Sequence, residues 1–251
     1  MIVIKNVQEI EAMREGGRIL AGIMDEIGKN IAPGTNTHEI DQLARKLVFD
    51  SGGVPIFEGY GTPPFPSSVC ASINSEVVHG IPRRDRIVQE GDIVKIDIGM
   101  KFKGMITDMA RTFEAGKVSP AARKLVNATR ESLDEGIRRI KAGAKLSEYS
   151  AAVDSYVRSH GFSAVRELVG HGVGRELHED PQILNYKAKG KEVILKEGMT
   201  LALEPMINEG THYIKLMGDG WTYATRDGKL SAHFEDTVVV KKGGCEILTR
   251  A

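Results

Sequence analysis

Apolar residues recur at helical spacing in the first part of the chain. From Val7, they lie three or four positions apart for most of a long stretch, until Ala32-Pro33-Gly34 interrupts the pattern. The polar segment 35–37 then offers N-caps for a second stretch of the same kind, which ends at Ser51-Gly52-Gly53. The pattern predicts two amphipathic helices followed by irregular chain.

The same order of elements returns after Ser119-Pro120, a cap residue followed by a proline that is favoured at the first helical position. A third series of apolar residues at helical spacing runs through Ile140 and ends at Lys141-Ala142-Gly143. A fourth series runs through Tyr149 to 159–161. Residues recur 109 positions apart: Ile31, Gly34, Glu39, Val48 and Gly52 return as Ile140, Gly143, Glu148, Val157 and Gly161. A repeat at this spacing suggests that a half-domain was duplicated.

Each predicted helix pair is followed by a charged turn with a glycine and by an apolar strand that ends in a carboxylate. Residues 88–97 end in Asp97 and residues 195–204 end in Glu204, which makes these two acids equivalent. A second strand in each half carries Asp108 or Glu235. We therefore expect an α+β fold with one catalytic domain over residues 1–251, built from pseudo-symmetric halves of about 1–118 and 119–251 around a joint sheet.

Composition and charge exclude several classes of protein. The chain has 251 residues, of which 41% are hydrophobic, and its 34 basic residues balance its 34 acidic residues. A formal net charge of zero creates no overall field toward nucleic acid or an anionic membrane. The longest apolar runs, such as 19–24, are far shorter than the roughly 20 residues that span a bilayer. We expect neither nucleic-acid recognition nor membrane insertion.

Cysteine usage and the N-terminal sequence favour a cytoplasmic protein. The first residues show no basic segment followed by an apolar one, as a secretory signal would. Cys70 and Cys245 lie far apart in the chain, and although one disulfide is conceivable, free thiols in a reducing compartment are the simpler interpretation. Nothing in the sequence requires more than a monomer.

The four acids of the two matched strand pairs need a positive partner. Burying a carboxylate costs several kcal/mol unless its charge is neutralised, and no basic residue recurs beside all four acids. For any single acid, a surface salt bridge would be the better explanation. The pairing across the repeat favours instead two divalent ions, whose four positive charges balance Asp97, Asp108, Glu204 and Glu235.

A set of oxygen ligands with one imidazole suits Mn²⁺, Fe²⁺, Co²⁺ or Zn²⁺. The lack of a cysteine pair argues against a structural zinc site. Two such ions, roughly 3.5 to 4 Å apart, lower the pKa of a bridging water and stabilise the oxyanion of an attacked amide. Hydrolysis is the reaction that this chemistry favours.

Three of the seven histidines lie in turn-rich segments with nearby glycine or proline, where a bound group can approach closely. We take His171 as the candidate metal ligand, and His79 and His178 as residues that hydrogen-bond a substrate or relay protons. His233 is predicted to share a sheet face with Glu235, as a partner of a ligand rather than a ligand itself. The histidines that fit capping or solvated positions are His38, His160 and His212.

The whole chain resembles the bacterial type I methionine aminopeptidases, whose fold is often called pita-bread. The motifs that carry the resemblance are Cys70-Ala71-Ser72-Ile73-Asn74, Val78-His79-Gly80-Ile81-Pro82, Asp97 with Asp108, Gly170-His171-Gly172-Val173-Gly174-Arg175 with His178-Glu179-Asp180-Pro181, Leu203-Glu204-Pro205-Met206 and Phe234-Glu235-Asp236-Thr237.

The resemblance implies an enzyme that removes the initiator methionine of nascent proteins when the second residue is small. It implies two divalent metal ions, Co, Mn, Fe or Zn. Association with ribosomes would suit this task, but the neutral chain offers no basic tail that argues for it. The implied metal ligands are Asp97, Asp108, His171, Glu204 and Glu235, with Asp108 and Glu235 bridging. Glu204 would also handle protons during attack by water, His178 would polarise the scissile carbonyl, and His79 would contact the substrate and assist proton transfer.

The resemblance also implies a methionine pocket formed by Tyr60, Phe65, Cys70 and Trp221, with Phe57 as a further candidate. The alternative is that the aromatic residues simply cover the core. The chain departs from the family pattern in the proline-rich stretch 57–65 and at Leu177, where an aromatic residue is common. These departures concern the shape of the pocket.

Two other functions remain open. An X-Pro aminopeptidase or prolidase uses a similar five-ligand site on this fold, but we expect the methionine-specific branch because the chain shows neither the extra domain of those enzymes nor the insertion typical of type II methionine aminopeptidases. A catalytically inactive protein-binding module of the same fold would be marked by lost ligands, whereas all five are present.

Overall fold

The computed structural model of the protein describes residues 2–188, 190 and 192–250. Its helices are α1 (Val7–Lys29), α2 (Thr37–Asp50), α3 (Pro120–Ile137) and α4 (Leu146–Ser159). Its strands are β1 (Val54–Pro55), β2 (Cys70–Ile73), β3 (Glu76–Val78), β4 (Ile93–Phe102), β5 (Met105–Glu114), β6 (Ser163–Ala164), β7 (Gly170–Gly172), β8 (Glu179–Ile183), β9 (Thr200–Leu203), β10 (Met206–Asn208), β11 (Ile214–Leu216), β12 (Tyr223–Thr225), β13 (Ser231–His233), β14 (Glu235–Lys241) and β15 (Gly244–Ile247).

The four predicted helices are present, and local chemistry explains where they begin. Asn6 and Glu9 form a reciprocal capping box at the start of α1, and the Asn36 side chain accepts a hydrogen bond from the His38 N–H at the start of α2. Ser119 caps α3 by accepting from Ala122 N at 3.1 Å, with Pro120 at the first helical position. None of these described helices is long and apolar enough to cross a membrane.

The predicted end of α3 is wrong by several residues. The series through Ile140 predicted a helix to 141–143, whereas α3 ends at Ile137. The N–H groups of Arg139 and Ile140 bond the carbonyls three residues back, a tighter turn that finishes the helix. Ile140 is still buried, so it is apolar because it belongs to the hydrophobic core and not because it lies on the helix.

A nine-stranded antiparallel sheet joins the early and late parts of the chain. Its main path is β1-β4-β5-β14-β9-β7-β8, with β2 paired to β4 and β15 paired to β14. Two three-stranded sheets, β13-β10-β6 and β11-β12-β3, complete the described strands. Helix α1 packs on β4 and β5, and α3 packs on α4, which confirms the predicted α+β arrangement of an antiparallel sheet covered by helices.

Two of the strand assignments for the acids need correction. Asp97 was predicted to end its strand, but β4 continues to Phe102 because it forms a long hairpin with β5, closed by Lys103 and Gly104 at positive φ. Glu204 lies one residue beyond β9, where the following Pro205 has no N–H to extend the ladder. Asp108 lies within β5 and Glu235 begins β14, as expected of acids on strands.

The division into two halves stays a prediction, and matched local features support it. Helices α2 and α4 each have 14 residues, and the chain on either side of each is tied by an isolated bridge, Asn36 with Ile87 and Lys145 with Ile194. Cys70 and Cys245 are both free, in agreement with the expectation of reduced thiols.

Candidate metal centre and active-site cavity

The register of the central strands places three of the predicted acids on one face of the sheet. Asp97 is paired with Ala110, and Ala110 is paired in turn with Glu235. Residues directly opposite in an antiparallel sheet share a face, as do residues two apart on one strand. Asp108, two residues from Ala110, therefore points to the same side as Asp97 and Glu235.

His171 reaches that face through the next strands of the sheet. It is paired with Ala202, which is paired with Thr237, two residues after Glu235. Its Nδ1 lies 2.9 Å from Gly172 O, within hydrogen-bonding distance of that carbonyl. With the Nδ1 proton donated to the carbonyl, Nε2 presents a lone pair, which is the state that binds a metal ion.

Asp108, His171 and Glu235 form the tightest group. All three are buried, and each offers a potential ligand atom within 4.8 Å of the others. Glu204 adjoins this group, with its Oε1 3.4 Å from His171 Nε2. Asp97 is not part of the tight group but lines the same cavity. The structure thus brings all five predicted metal ligands to one place.

Several carboxylate oxygens in this group have no partner. Among the described residues, Asp97 Oδ1, Asp108 Oδ1 and Glu235 Oε1 are buried and accept no hydrogen bond. A buried carboxylate without a donor or counter-charge is strongly unfavourable. Such oxygen donors suit divalent cations, so the residues present fit a metal centre.

Burial raises the pKa values of all four acids, and neighbouring acids raise three of them further. Burial raises the pKa of Asp108 to about 7. Burial first, and then the charges of neighbouring acids, raise the pKa values of Asp97, Glu204 and Glu235 well above their ordinary range. A cluster of this kind favours either protons or cations, and divalent ions would replace the protons at neutral pH.

A cavity of about 90 Å³ lies over the acids. It is lined by every site residue predicted from the sequence, and also by Phe57 and Leu177: Phe57, Tyr60, Phe65, Cys70, His79, Asp97, Asp108, His171, Leu177, His178, Glu204, Trp221 and Glu235. The cavity therefore combines an acidic floor with apolar and aromatic walls.

The aromatic wall of the cavity is built from segments far apart in the chain. Phe65 and Trp221 meet edge to face with ring centroids 5.3 Å apart. Gly61, at φ +78°, allows this approach, because a Cβ there would lie 2.5 Å from Trp221 Cη2. The proline-rich stretch 57–65 thus forms part of the pocket wall.

The two predicted substrate-contacting histidines are neutral at physiological pH. Burial lowers the pKa of His79 to about 4 and also lowers the pKa of His178. The Tyr60 hydroxyl lies 2.5 Å from His178 Nδ1. His79 has φ 58°, a conformation that is uncommon for a residue with a side chain. Both rings line the cavity as hydrogen-bonding groups rather than as charges.

His233 lies behind the acids, as a neighbour of Glu204. Its Nε2 is 3.6 Å from Glu204 Oε2, and burial lowers its pKa to about 3. Both ring nitrogens are buried without a hydrogen-bond partner among the described residues. His233 lies near a predicted metal ligand, as expected, although it ends β13 and does not belong to the strand of Glu235.

Two basic residues on the strands that carry Asp97 and Asp108 were not identified from the sequence. Arg111 donates to Glu235 O at 2.5 Å and to Asp236 Oδ1 at 2.7 Å, and so holds β14 against β5. Lys95 is fully buried and donates to Asn74 O at 2.8 Å. The sequence did carry a signal for Lys95, since it alternates with Asp97 on one face of an otherwise apolar strand.

Comparisons with known proteins show which family the chain resembles. The model of metallopeptidase family M24 matches residues 11–242. A methionine aminopeptidase of Bacillus subtilis is 47% identical over 250 residues, which cover both chains completely. The crystal structure of methionine aminopeptidase from Thermotoga maritima superposes with a TM-score of 0.97 at 42% identity over both full chains. An Xaa-Pro dipeptidase of Bacillus anthracis shares the fold, with a TM-score of 0.78 at 22% identity over 99% of this chain and 62% of its own.

Proposed function

The chain belongs to metallopeptidase family M24 and within it to the type I methionine aminopeptidases of the pita-bread fold, and from this membership we infer that it removes N-terminal methionine by metal-dependent hydrolysis. The finer proposal is that it acts on the initiator methionine of nascent proteins when the second residue is small. One observation carries the metal-dependent hydrolysis: five potential metal ligands line one cavity, and one carboxylate oxygen each of Asp97, Asp108 and Glu235 is buried there without a hydrogen-bond partner among the described residues.

Two divalent ions are proposed to be held by Asp97, Asp108, His171, Glu204 and Glu235. The four acids supply a charge of about −4 when ionised, which two divalent ions neutralise. When bound, the ions supply Lewis acidity toward the scissile carbonyl and lower the pKa of water. The donor set accommodates Co, Mn, Fe or Zn.

Glu204 is proposed to accept the proton of the attacking water and to deliver it to the leaving amine. Its side chain is only 13% exposed, and its pKa is raised well above the ordinary range of a carboxyl group. That pKa belongs to the metal-free protein; bound cations would lower it, and the buried carboxylate would then be ionised and able to accept a proton. The Nε2 atoms of His171 and His233 lie 3.4 and 3.6 Å from its two oxygens and limit its orientation.

His178 is proposed to donate a hydrogen bond to the carbonyl oxygen of the scissile amide. If the Tyr60 O–H donates to Nδ1, the single proton of the neutral ring resides on Nε2, which then becomes a donor. Such a donor stabilises negative charge that develops on the oxygen during attack. His79, also neutral, is proposed to contact the substrate beside the scissile amide and to assist proton transfer.

The methionine side chain is proposed to occupy the apolar part of the cavity, against Tyr60, Phe65, Cys70 and Trp221. Sulfur contacts aromatic rings favourably, and the Phe65–Trp221 pair offers two ring edges. Burial and the surrounding acids raise the pKa of the Cys70 thiol well above its ordinary value. Cys70 therefore acts as an apolar wall rather than a nucleophile.

A peptide panel tests this function. Peptides that begin Met-Ala, Met-Leu and Ala-Pro should be incubated with the metal-loaded protein and followed by mass spectrometry. Release of methionine from Met-Ala well ahead of Met-Leu is expected, whereas equal release from both would overturn the proposed preference for a small second residue. Cleavage of Ala-Pro alone would favour the prolidase branch. A monomeric state, a cytoplasmic location and ribosome association stay predictions.

A further inference from the structure

The segment before α1, residues 2–6, inverts the usual pattern of burial. Lys5 is 4% exposed, whereas the apolar Ile4 is 45% exposed and Val7 is 82% exposed. A lysine is almost never buried unless its ammonium group is paired. A local exception to hydrophobic patterning is most often found where function requires it.

The fold shapes a dedicated path for this lysine. Its stem lies directly over Gly174, where a Cβ would come within 2.4 Å of Lys5 Cε. The backbone N–H of Lys5 donates to Gly198 O at 2.9 Å, which fixes the segment against the turn before β9. The side chain is thus guided inward beneath the segment 174–179, which we call the His178 loop.

The ammonium group of Lys5 forms an ion pair with Glu179, and both side chains are almost fully buried. The other carboxylate oxygen of Glu179 accepts hydrogen bonds from the backbone N–H groups of Arg175, at 2.7 Å, and Glu176, at 3.2 Å. The Glu179 carboxylate therefore links the two ends of the His178 loop and connects this loop to the N-terminal segment. Charge-assisted hydrogen bonds of this kind are stronger than neutral ones.

We propose that Lys5 is a positioning residue for His178, acting through its buried ion pair with Glu179. This inference rests on the proposed role of His178 as a donor to the scissile carbonyl. Removing the ammonium would leave a carboxylate buried without a counter-charge, and the His178 loop would shift to hydrate it. His178 directly precedes Glu179 and lines the cavity, so such a shift would move its ring relative to a bound substrate.

The test is the substitution Lys5→Met, which keeps the length and apolar stem of the side chain but removes its charge. With saturating metal and Met-Ala-Ser as substrate, kcat is expected to fall about 10-fold while KM changes less than about threefold, because misplacing one group by an ångström affects mainly the transition state. The matched control is Arg175→Met, which removes a cation from the same loop. Arg175 is 54% exposed in its pair with Glu9, and an exposed pair contributes little.

A double-mutant cycle with His178→Ala separates positioning from a general loss of structure. In the His178→Ala background, Lys5→Met should lower kcat less than about twofold, because the group that it positions is gone. An equal fold-loss in both backgrounds would overturn the inference and indicate a purely structural role. Unchanged kcat in Lys5→Met, with His178→Ala impaired, would overturn it as well.

Full activity of His178→Ala would instead contradict the proposed function of His178, an outcome distinct from the two above. Circular dichroism and the melting temperature of each variant establish that it is folded before kinetics are compared. If Lys5→Met does not fold, Lys5→Gln retains a neutral donor toward Glu179 and supports the same cycle. Its kcat is expected between those of Lys5→Met and the unsubstituted protein.

Discussion

The hydroxyl oxygen of Tyr60 lies 2.5 Å from Nδ1 of His178, although 118 positions separate the two residues in the chain. Tyr60 belongs to the stretch 57–65 that walls the cavity, and His178 precedes β8. The contact therefore joins the wall proposed for the substrate side chain to the group proposed to act on its carbonyl. In the proposed mechanism a single tyrosine therefore serves both binding and orientation.

Tyr60→Phe is expected to lower kcat about fivefold to tenfold with little change in KM, because the phenyl ring keeps the wall while one hydrogen bond of about 1 kcal/mol is lost. Steady-state kinetics on Met-Ala-Ser measure the effect. Tyr213→Phe is the control, since Tyr213 is 50% exposed and does not line the cavity. An unchanged kcat in Tyr60→Phe would show that His178 does not depend on this contact.

Glu204→Gln is expected to lower activity by several orders of magnitude while the fold is retained, because the amide keeps the shape of the side chain but loses its charge and its basicity. Glu197→Gln, on the exposed turn before β9, is the matched control. Activity is measured with metal in excess, so that a weakened affinity for the ions does not mask the chemistry. Turnover within tenfold of the unsubstituted protein would mean that another group handles the proton.

The raised pKa of Asp108 is expected to make the metal-free protein less stable as pH rises toward 7. The folded pKa of Asp108 is about 7, above its ordinary value of 3.8, so the folded state retains a proton that the unfolded chain has lost, and this contribution to stability falls between these two pH values. His79 and His171 contribute with the opposite sign, because burial lowers their folded pKa values to about 4, and their contribution is complete near pH 6.5. Lys95 also contributes with the opposite sign, above about pH 7, because burial lowers its folded pKa from 10.5 to about 7. Each proton retained or lost on folding changes stability by about 1.4 kcal/mol per pH unit.

The measurement for this prediction is the melting temperature of chelator-treated protein between pH 5 and 8, with and without saturating Mn²⁺. Mn²⁺ should raise the melting temperature, and by more at higher pH, because fewer protons then compete with the cation for the acids. A melting temperature that is independent of both pH and Mn²⁺ would argue against a cluster of buried acids.

Leu177 is expected to set the width of the pocket. It is 6% exposed and lines the cavity, so Leu177→Ala enlarges the space and Leu177→Phe fills it. The ratio of kcat/KM for peptides beginning with Phe to those beginning with Met should rise roughly 10-fold in Leu177→Ala and fall in Leu177→Phe, in line with the few kcal/mol that apolar pockets discriminate. Equal ratios in all three proteins would place the side chain of the substrate elsewhere.

Much of the acidic floor was predictable because it follows from short-range patterns. A carboxylate at the end of an apolar run identified Asp97, a second strand in the same half supplied Asp108, and the matching strands of the other half supplied Glu204 and Glu235. Glycine-rich context pointed to His171, and the family resemblance supplied its place among the ligands. Helix starts were predicted well for the same reason, since caps such as Asn6 and Ser119 lie within three residues of the groups that they bond.

Features that depend on distant segments were not predictable from one sequence. Lys5 and Glu179 lie 174 positions apart, and neither carries a local signal of burial. Strands as short as β6, with two residues, offer no alternation to detect. The end of α3 was misplaced because Ile140 is buried by tertiary packing while its backbone has already left the helix.

The most direct measurement of the central claim is reconstitution of the chelator-treated protein with Mn²⁺, Co²⁺, Fe²⁺ or Zn²⁺, one ion at a time. Activity is followed by mass spectrometry with Met-Ala-Ser beside Ala-Pro, and bound metal is counted per chain. We expect methionine release to be absent without metal, to return with at least one of these ions, and to reach its maximum at two ions per chain, with Ala-Pro left intact. Full methionine release by protein shown to be free of metal, or none with any of the four ions, would contradict the account.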